Sequence, residues 1–198
     1  MTDIRPFDRR ALQVTETLVD QVRPEHLSLP TPCAQWSLRQ LLAHMTGQNY
    51  GFASAADGET TDASAWADRY VDSADEVARA FRASAARVTA AFSREGVLDG
   101  EFWLPEVRGG QMFPARTAIG FHFVDYVVHG WDVAASLGVP APFDSETLDA
   151  VLPYAAEVPD GPNRREPGAS FQPGLPPVGN RPLERVLAML GRTPGWSA

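Results

Sequence analysis

The sequence contains no lysine, and all 17 of its basic residues are arginines. Without a lysine amine, the chain cannot anchor pyridoxal phosphate or form a Schiff base with a carbonyl substrate through that side chain. The net charge is −8 at pH 7, and no run of basic residues interrupts it. This balance argues against nucleic acid and anionic membranes as partners, because both attract basic surfaces. A small-molecule substrate is compatible with it.

Cysteine and long apolar runs are also scarce. The single cysteine, Cys33, excludes an internal disulfide and fits a reducing cytoplasm, which is the expected location. No run of 18 apolar residues occurs, so no transmembrane helix is expected. The opening MTDIRPFDRR lacks the pattern of a signal peptide. The length of 198 residues suits one domain with an extension.

Apolar spacing predicts an all-α architecture built on four long helices. The predicted helices lie at residues 7–22, from 37 onward, at 72–94 and at 115–137. Ser37 and Gln40 match an S-x-x-Q capping box, which fixes the start of the second helix. Gly138 followed by Pro140 is typical of a helix end and closes the fourth. Such an arrangement predicts a four-helix bundle.

The remaining segments are less regular. Glycines and prolines within 96–115 are compatible with a short hairpin or with a crossing loop. A short helix at 144–156 is followed by a segment rich in proline and glycine, 158–182, and by a final amphipathic turn. Long irregular segments in compact domains are often functional. The predicted organisation is a helical bundle over 1–140, with an extension over 141–198 packed on the same domain.

The fourth predicted helix carries four polar residues in an otherwise apolar stretch, FHFVDYVVHGWDVAASLG at 121–138. At 100° per residue, His122, Asp125, His129 and Asp132 fall within an arc of about 80°. The rest of the circumference is almost wholly apolar, which indicates a buried helix. The polar stripe is therefore expected to face an internal cleft, where unpaired charges would be costly.

Two interpretations explain Asp125 and His129. Because they are spaced i, i+4, their side chains point the same way and can share a metal ion, with His44 of the second helix as the third ligand. Two histidines and one carboxylate suit Zn²⁺, Fe²⁺ or Ni²⁺. Alternatively, the two residues form a buried hydrogen-bonded pair without an ion. The spacing alone does not decide between these interpretations.

The other polar residues also have competing interpretations. His122 is a candidate contact for substrate or metal, and Asp132 is either a cap or the partner of an arginine. His26, in a loop beside Glu25, is expected at the surface. Cys33 is a candidate nucleophile, but it has no matched histidine nearby in sequence, so a buried structural thiol is the favoured interpretation.

Three stretches resemble one known family. TPCAQWSLRQLLAHMTGQN at 31–49 resembles the T-P-C-x-x-W…L-x-x-H-x-x-G start of the mycothiol-dependent maleylpyruvate isomerase N-terminal domains, which are DinB-like four-helix-bundle metalloproteins. DYVVHGWDVAASLG at 125–138 is similar to the acidic-x-x-x-His helix of that family. PLERVLAMLGRTPGW at 182–196 resembles the tail of a compact actinobacterial branch. The resemblance implies an up-down-down-up bundle whose site opens at one end.

The resemblance also implies a site and a chemistry. In that family a histidine of the second helix and an acidic residue and a histidine of the fourth bind a divalent metal, usually zinc. This implies a metal role for His44, Asp125 and His129, with mycothiol or bacillithiol as a thiol cofactor and with isomerase or S-transferase activity. The chain is short for the separate C-terminal domain of the isomerase, and it has Asp125 where the isomerase has glutamate. The first departure argues against maleylpyruvate itself as the substrate, and the second shortens the reach of the carboxylate and could shift the metal.

Three functional hypotheses follow. The first is a metal-dependent enzyme that activates a thiol for addition to a small electrophile, with His122 as an acid/base or substrate contact. In this hypothesis Arg116, Arg164 and Arg165 are candidate ligands for a substrate carboxylate, the alternative being solvated surface charge. The second is a thiol-independent metal enzyme such as a lyase, cyclase or hydrolase. The third is a non-catalytic stress protein that binds metal or thiol. The sequence does not fix the oligomeric state, and a homodimer is one candidate assembly because dimers are common for such bundles.

Overall fold

The computed structural model describes residues 3–33, 36–107, 109–166, 169–176 and 179–198. Its regular structure in these ranges is six α-helices and one small antiparallel sheet, which confirms the predicted all-α fold class. The elements are α1 (Arg5–Val19), α2 (Leu38–Ala56), α3 (Ala74–Phe92), β1 (Glu101–Leu104), β2 (Gln111–Pro114), α4 (Ala115–Leu137), α5 (Ser145–Glu157) and α6 (Pro182–Met189). None of the helices that the structure describes combines the length and apolarity that a bilayer crossing requires.

The first four helices form the bundle, and α4 is its most buried member. α1 packs along α4, α2 packs along α3, and α1 also contacts α3. Tyr126, Val127 and Val128 are successive residues that point about 100° apart around α4, and all three are inaccessible to solvent. The prediction of a helix buried on nearly every side is therefore confirmed. Of its polar stripe, His122, His129 and Asp132 lie inside the protein, whereas Asp125 is half-buried.

Local capping fixes where the helices begin and end. At the start of α2, the Ser37 backbone N–H donates to Gln40 Oε1 at 2.9 Å, which is half of the predicted capping box. At the end of α4, Gly138 has φ of 68°, the left-handed conformation expected of a helix-ending glycine. Asp144 caps α5 by accepting from the Thr147 N–H at 2.7 Å. These caps set the register of each helix and hence the direction of its side chains.

The segment between α3 and α4 is a hairpin rather than a crossing loop. β1 and β2 pair antiparallel, with Phe102 opposite Phe113, and the hairpin packs on α2 and α4. Phe102 and Leu104 point into the core. The turn between the two strands lies near the candidate site described below.

Arg164, in the C-terminal extension, orders the segment between α5 and α6. Its guanidinium donates to four backbone carbonyls at 2.7–3.2 Å, those of Val158, Pro159, Gln172 and Met189. The side chain is almost wholly buried. Sequence analysis suggested Arg164 as a substrate ligand, but a substrate carboxylate could bind only if these structural hydrogen bonds were given up.

Candidate metal centre

His44, Asp125 and His129 come together at one place in the bundle. One donor atom from each residue lies within 4.8 Å of the other two. His129 Nε2 lies 3.3 Å from Asp125 Oδ1, and the rings of His44 and His129 have centroids 5.8 Å apart. The three residues that the sequence singled out as metal ligands are thus neighbours in space.

The helices account for this geometry. Asp125 and His129 lie one turn apart on the same face of α4, and His44 reaches them from α2, which packs against α4. His129 is buried, whereas His44 and Asp125 are half-buried. The cluster is therefore closed around His129 and partly accessible at His44 and Asp125.

A second carboxylate fixes the orientation of the His129 ring. The Nδ1 atom of His129 lies 2.9 Å from Asp132 Oδ2, so Nδ1 carries the proton when it donates to this carboxylate, and Nε2 faces Asp125. Asp132 is fully buried and forms an ion pair with Arg192. Of the two roles considered for Asp132, the structure shows pairing with an arginine. A histidine that donates its other nitrogen to a carboxylate is the common arrangement behind a metal ligand.

His44 has similar support from a loop. Its Nδ1 atom lies 3.4 Å from Asp68 Oδ1, in the segment between α2 and α3. The indole of Trp36 lies against both histidines, with centroids 4.6 Å from His44 and 6.2 Å from His129. Sequence reasoning missed Asp68 and Trp36. The available signal for Trp36 was its place in the T-P-C-x-x-W motif, whereas nothing in the local sequence marked Asp68.

A further carboxyl group, that of Glu106, lies near the cluster at the tip of the hairpin. Its Oε2 atom accepts from Gln48 Nε2 at 2.9 Å, and Gln48 is one helical turn after His44 on α2. Although Glu106 as a whole residue is exposed, its carboxyl group is partly desolvated. This desolvation, together with the nearby Asp125 and Asp68, raises the pKa of Glu106 despite the opposing hydrogen bond from Gln48.

The pKa values of His44 and His129 are shifted in opposite directions. Burial and the neighbouring His129 lower the pKa of His44, and the carboxylates of Asp125 and Asp68 only partly offset this. Burial also opposes protonation of His129, but Asp125 and Asp132 outweigh it and raise its pKa. His44 is therefore a neutral imidazole at neutral pH, the form that binds a metal, whereas His129 holds a proton more tightly.

Cys33 lies near the Asp132–Arg192 pair. Burial raises the pKa of its thiol to about 11, although Arg192 partly offsets the effect. The thiol is then protonated at neutral pH and is a poor nucleophile. Cys33 is half-buried rather than fully buried, and its protonated thiol favours the structural interpretation over the nucleophile.

His122 does not lie beside the cluster, although it shares a helix face with Asp125. It is fully buried, and its Nδ1 and Nε2 atoms lie 2.6 Å from Asp8 Oδ1 and 3.2 Å from Asn49 Oδ1. Its ring stacks on Tyr126 at 4.2 Å between centroids. Equal angular position on a helix does not mean equal surroundings, because the neighbouring helices differ at each level. Both ring nitrogens are engaged in the core, so the predicted acid/base role has no geometric support.

The remaining predicted residues lie elsewhere. Arg116, in the first turn of α4, acts electrostatically on Asp3 and is separated from Asp125 by about 13 Å of helix rise. Arg165 is exposed on the 3-10 turn Pro162–Arg165. The structure brings neither arginine to the cluster, and substrate binding by them stays a prediction. His26 is half-buried and accepts from the Arg23 backbone N–H at 3.2 Å.

Part of the chain matches a known protein family. Residues 9–134 match the family model of the mycothiol maleylpyruvate isomerase N-terminal domain. The chain belongs to this family. It is also 30% identical over 189 residues to two uncharacterised proteins of Mycobacterium tuberculosis, one from strain H37Rv and one from strain CDC 1551. The alignment spans 93% of this chain and 95% of each relative.

Two solved structures share the fold. They are the mycothiol-dependent maleylpyruvate isomerase, with a TM-score of 0.57 and 15% identity, and a point mutant of it, with a TM-score of 0.59 and 13% identity. Each match covers 77% of this chain and 66% of the isomerase chain. At such low identity the likeness establishes the fold and leaves the activity to be argued from the site.

The residues of the cluster fit a divalent metal. Two imidazoles and one carboxylate form the three-ligand set of catalytic zinc sites, in which the fourth position is left to water or substrate. Each imidazole also has a carboxylate beside its Nδ1 atom, Asp132 for His129 and Asp68 for His44. A simple hydrogen-bonded pair of Asp125 and His129 would need neither His44 nor these two additional carboxylates.

Proposed function

We propose that the chain is a metal-dependent enzyme of the mycothiol-dependent isomerase or S-transferase type. His44, Asp125 and His129 would hold a divalent metal, zinc in the first place, with nickel or iron as alternatives. A low-molecular-weight thiol, mycothiol in the first place, would be its cofactor or co-substrate and would add to a small electrophile. The observation that carries the proposal is the convergence of the three donors, with a carboxylate behind each histidine.

The residues around the proposed metal site then have distinct roles. Asp132 accepts a hydrogen bond from His129 Nδ1 and so keeps Nε2 directed at the cluster. Asp68 can do the same for His44. Trp36 covers both imidazoles and shields the cluster from water on that side. A divalent metal bound by these residues would lower the pKa of a thiol, so that the thiolate nucleophile is present at neutral pH.

A thiol-independent metal enzyme is the second candidate, and the Glu106 carboxyl group is compatible with it. A carboxyl group with a raised pKa, close to Asp125 and Asp68, is suited to exchange protons with a substrate or water bound at the metal. In the first candidate the same carboxyl group would receive or return the proton of the thiol. Glu106 is therefore compatible with both candidate functions, and thiol binding is what distinguishes them.

Metal content tests the proposed centre. Plasma mass spectrometry of the purified protein, after growth with zinc, nickel and iron, should find about one metal ion per chain, the stoichiometry of a three-residue site. His44→Ala, Asp125→Ala and His129→Ala should each lose the metal while remaining helical. His26→Ala is the matched control, since it removes a histidine outside the cluster, and it should keep the metal. A wild-type protein without metal would refute the proposal and leave the polar stripe as a hydrogen-bonded network.

Thiol binding separates the two candidates. In the cobalt-substituted protein, mycothiol should shift the visible absorption bands because sulfur joins the metal coordination. S-methyl mycothiol, which keeps the sugar portion but lacks a free thiol, should not produce this shift. If millimolar mycothiol left the spectrum unchanged, the thiol-independent enzyme would become the better supported candidate.

A further inference from the structure

Arg192 connects the C-terminal segment to the candidate metal centre through a single carboxylate. Its Nε and Nη2 atoms donate to Asp132 Oδ1 at 3.2 Å and to Asp132 Oδ2 at 3.0 Å. Asp132 Oδ2 also accepts from His129 Nδ1 at 2.9 Å. Arg192 lies outside residues 9–134, the part of the chain that matches the family model.

The end of α6 determines where the Arg192 guanidinium lies. The Arg192 backbone N–H donates to the Leu187 carbonyl at 2.8 Å, and Nη1 donates to the Leu190 carbonyl at 3.2 Å. Gly191, with φ of 74°, turns the chain immediately before Arg192, and a Cβ atom there would approach the Gln172 carbonyl to 2.6 Å. The turn therefore requires glycine, and it directs the arginine inward.

Because the Arg192–Asp132 ion pair is buried, it is sensitive to substitution of either residue. Arg192 is 2% exposed and Asp132 is 0% exposed, so neither charge is solvated. Removing one member of such a pair leaves an uncompensated buried charge, whereas the intact pair holds both groups in one geometry. The planar fork of arginine binds both oxygens of a carboxylate at once, which a lysine amine cannot do.

We infer that Arg192 is a positioning residue of the metal centre: it fixes the Asp132 carboxylate, and through it the His129 ring, so that Nε2 faces Asp125 and His44. The C-terminal segment is thus a structural part of the centre. The inference rests on the proposed function, because it assigns Arg192 a role in binding that metal. It predicts that zinc affinity depends on a residue that does not touch the ion.

The test is the zinc affinity of the full chain, measured by competition with a chromophoric chelator. Arg192→Met should weaken zinc binding by about 10- to 100-fold, the usual effect of removing support behind a ligand. Arg192→Lys, which keeps the charge but not the fork, should lie between wild type and Arg192→Met. The cobalt-substituted Arg192→Met protein should also show altered visible bands, because the His129 ring is no longer held.

Arg164→Met is the matched control. Arg164 is also a buried arginine of the C-terminal extension, 3% exposed, but its four hydrogen bonds go to backbone carbonyls and none reaches Asp132 or His129. Both substitutions should lower the melting temperature of the metal-free protein, and only Arg192→Met should weaken zinc binding. Equal zinc affinity in wild type and Arg192→Met would overturn the inference, as would equal weakening by Arg164→Met.

A double-mutant cycle identifies the route of the effect. If Arg192 acts through Asp132, Arg192→Met should weaken zinc binding in the wild-type background but change it little in an Asp132→Asn background. Additive effects would contradict the inference, and Arg192→Lys serves in the same cycle if Arg192→Met does not fold. Failure of the wild-type protein to bind zinc would refute the proposed function itself. Tight zinc binding that is insensitive to Arg192 would refute only the inference.

Discussion

A single histidine, His122, joins all four helices of the bundle. From α4 it contacts Asp8 of α1 and Asn49 of α2, and the Asn49 Nδ2 atom donates to Ser84 Oγ of α3 at 2.9 Å. All four side chains are buried. Such a network specifies how the helices meet, because each polar group is satisfied only in the native arrangement.

Replacement of His122 by alanine should therefore impair stability rather than metal binding. The substitution leaves the Asp8 carboxylate buried without its partner, and we expect a loss of about 3 kcal/mol in the free energy of unfolding. Urea denaturation measures the loss, and His26→Ala should stay within about 0.5 kcal/mol of wild type. If His122→Ala instead lost metal while its unfolding curve was unchanged, His122 would belong to the site after all.

Cys33 should react slowly in the folded protein. With a pKa of about 11, its thiolate fraction at neutral pH is more than about 100-fold below that of an ordinary cysteine with a pKa near 8.5. Its alkylation by iodoacetamide should therefore be slower by at least that factor in the native chain than in urea. The native rate should still rise about tenfold per pH unit above pH 9. A plateau at lower pH would show an activated thiol and would reopen the nucleophile interpretation.

At the scale of elements, two glycines of α2 allow the following segment to lie directly on the helix. A Cβ atom at Gly47 would clash with the backbone carbonyl of Ala67, and one at Gly51 would clash with the ring of Trp66. Asp68, which supports His44, follows immediately in this segment. The closeness of the segment to α2 is thus a condition for the Asp68–His44 contact.

Gly47→Ala tests this dependence. In an unobstructed helix, alanine is favoured over glycine by about 1 kcal/mol, so a net loss of stability would have to come from the clash. We expect a lower melting temperature and weaker zinc binding, because displacement of the Ala67 carbonyl moves Asp68 away from His44. Gly195→Ala, at a position with open space around it, is the control and should change neither quantity. Unchanged zinc affinity in Gly47→Ala would show that Asp68 is dispensable.

The elements that follow local rules could be predicted from the sequence. Nearest neighbours in the sequence determine the bounds of α4 and the capping of α2 and α5. The family resemblance grouped His44 with Asp125 and His129. Asp68 and Arg192 could not be predicted, because each reaches the centre through the packing of a distant segment. The surroundings of His122 could not be predicted for a related reason, since a helical projection gives direction but not the identity of the neighbouring helix.

At the scale of the whole molecule, the centre joins parts of the chain that are far apart in sequence. α2 contributes His44, α4 contributes Asp125 and His129, and the C-terminal segment supports them through Arg192. A ligand that binds only the folded chain stabilises it by RT ln(1 + [L]/Kd), about 2.7 kcal/mol at 100 times Kd. Zinc should therefore raise the melting temperature of the entire bundle, and the rise reports metal binding without an assay for activity.

The pH dependence of this rise follows from the opposite shifts of the two histidines. The raised pKa of His129 means that its proton stabilises the metal-free fold below the ordinary value near 6.5, and that this stabilisation is lost as pH rises through the folded pKa. Zinc must displace that proton, so its affinity should begin to fall while the pH is still above about 6.5. Because the pKa of His44 is lowered, its protonation should weaken zinc binding further only below about pH 6.5. As the pH falls from 9 to 5, zinc titrations should thus show a slope of log affinity against pH of about one below the first break and of about two below the second. The Asp132→Asn variant lacks a carboxylate that favours the charged form of His129. In this variant, the break in log zinc affinity that protonation of His129 causes should move to lower pH. An unmoved break would mean that Asp132 does not control the proton on His129.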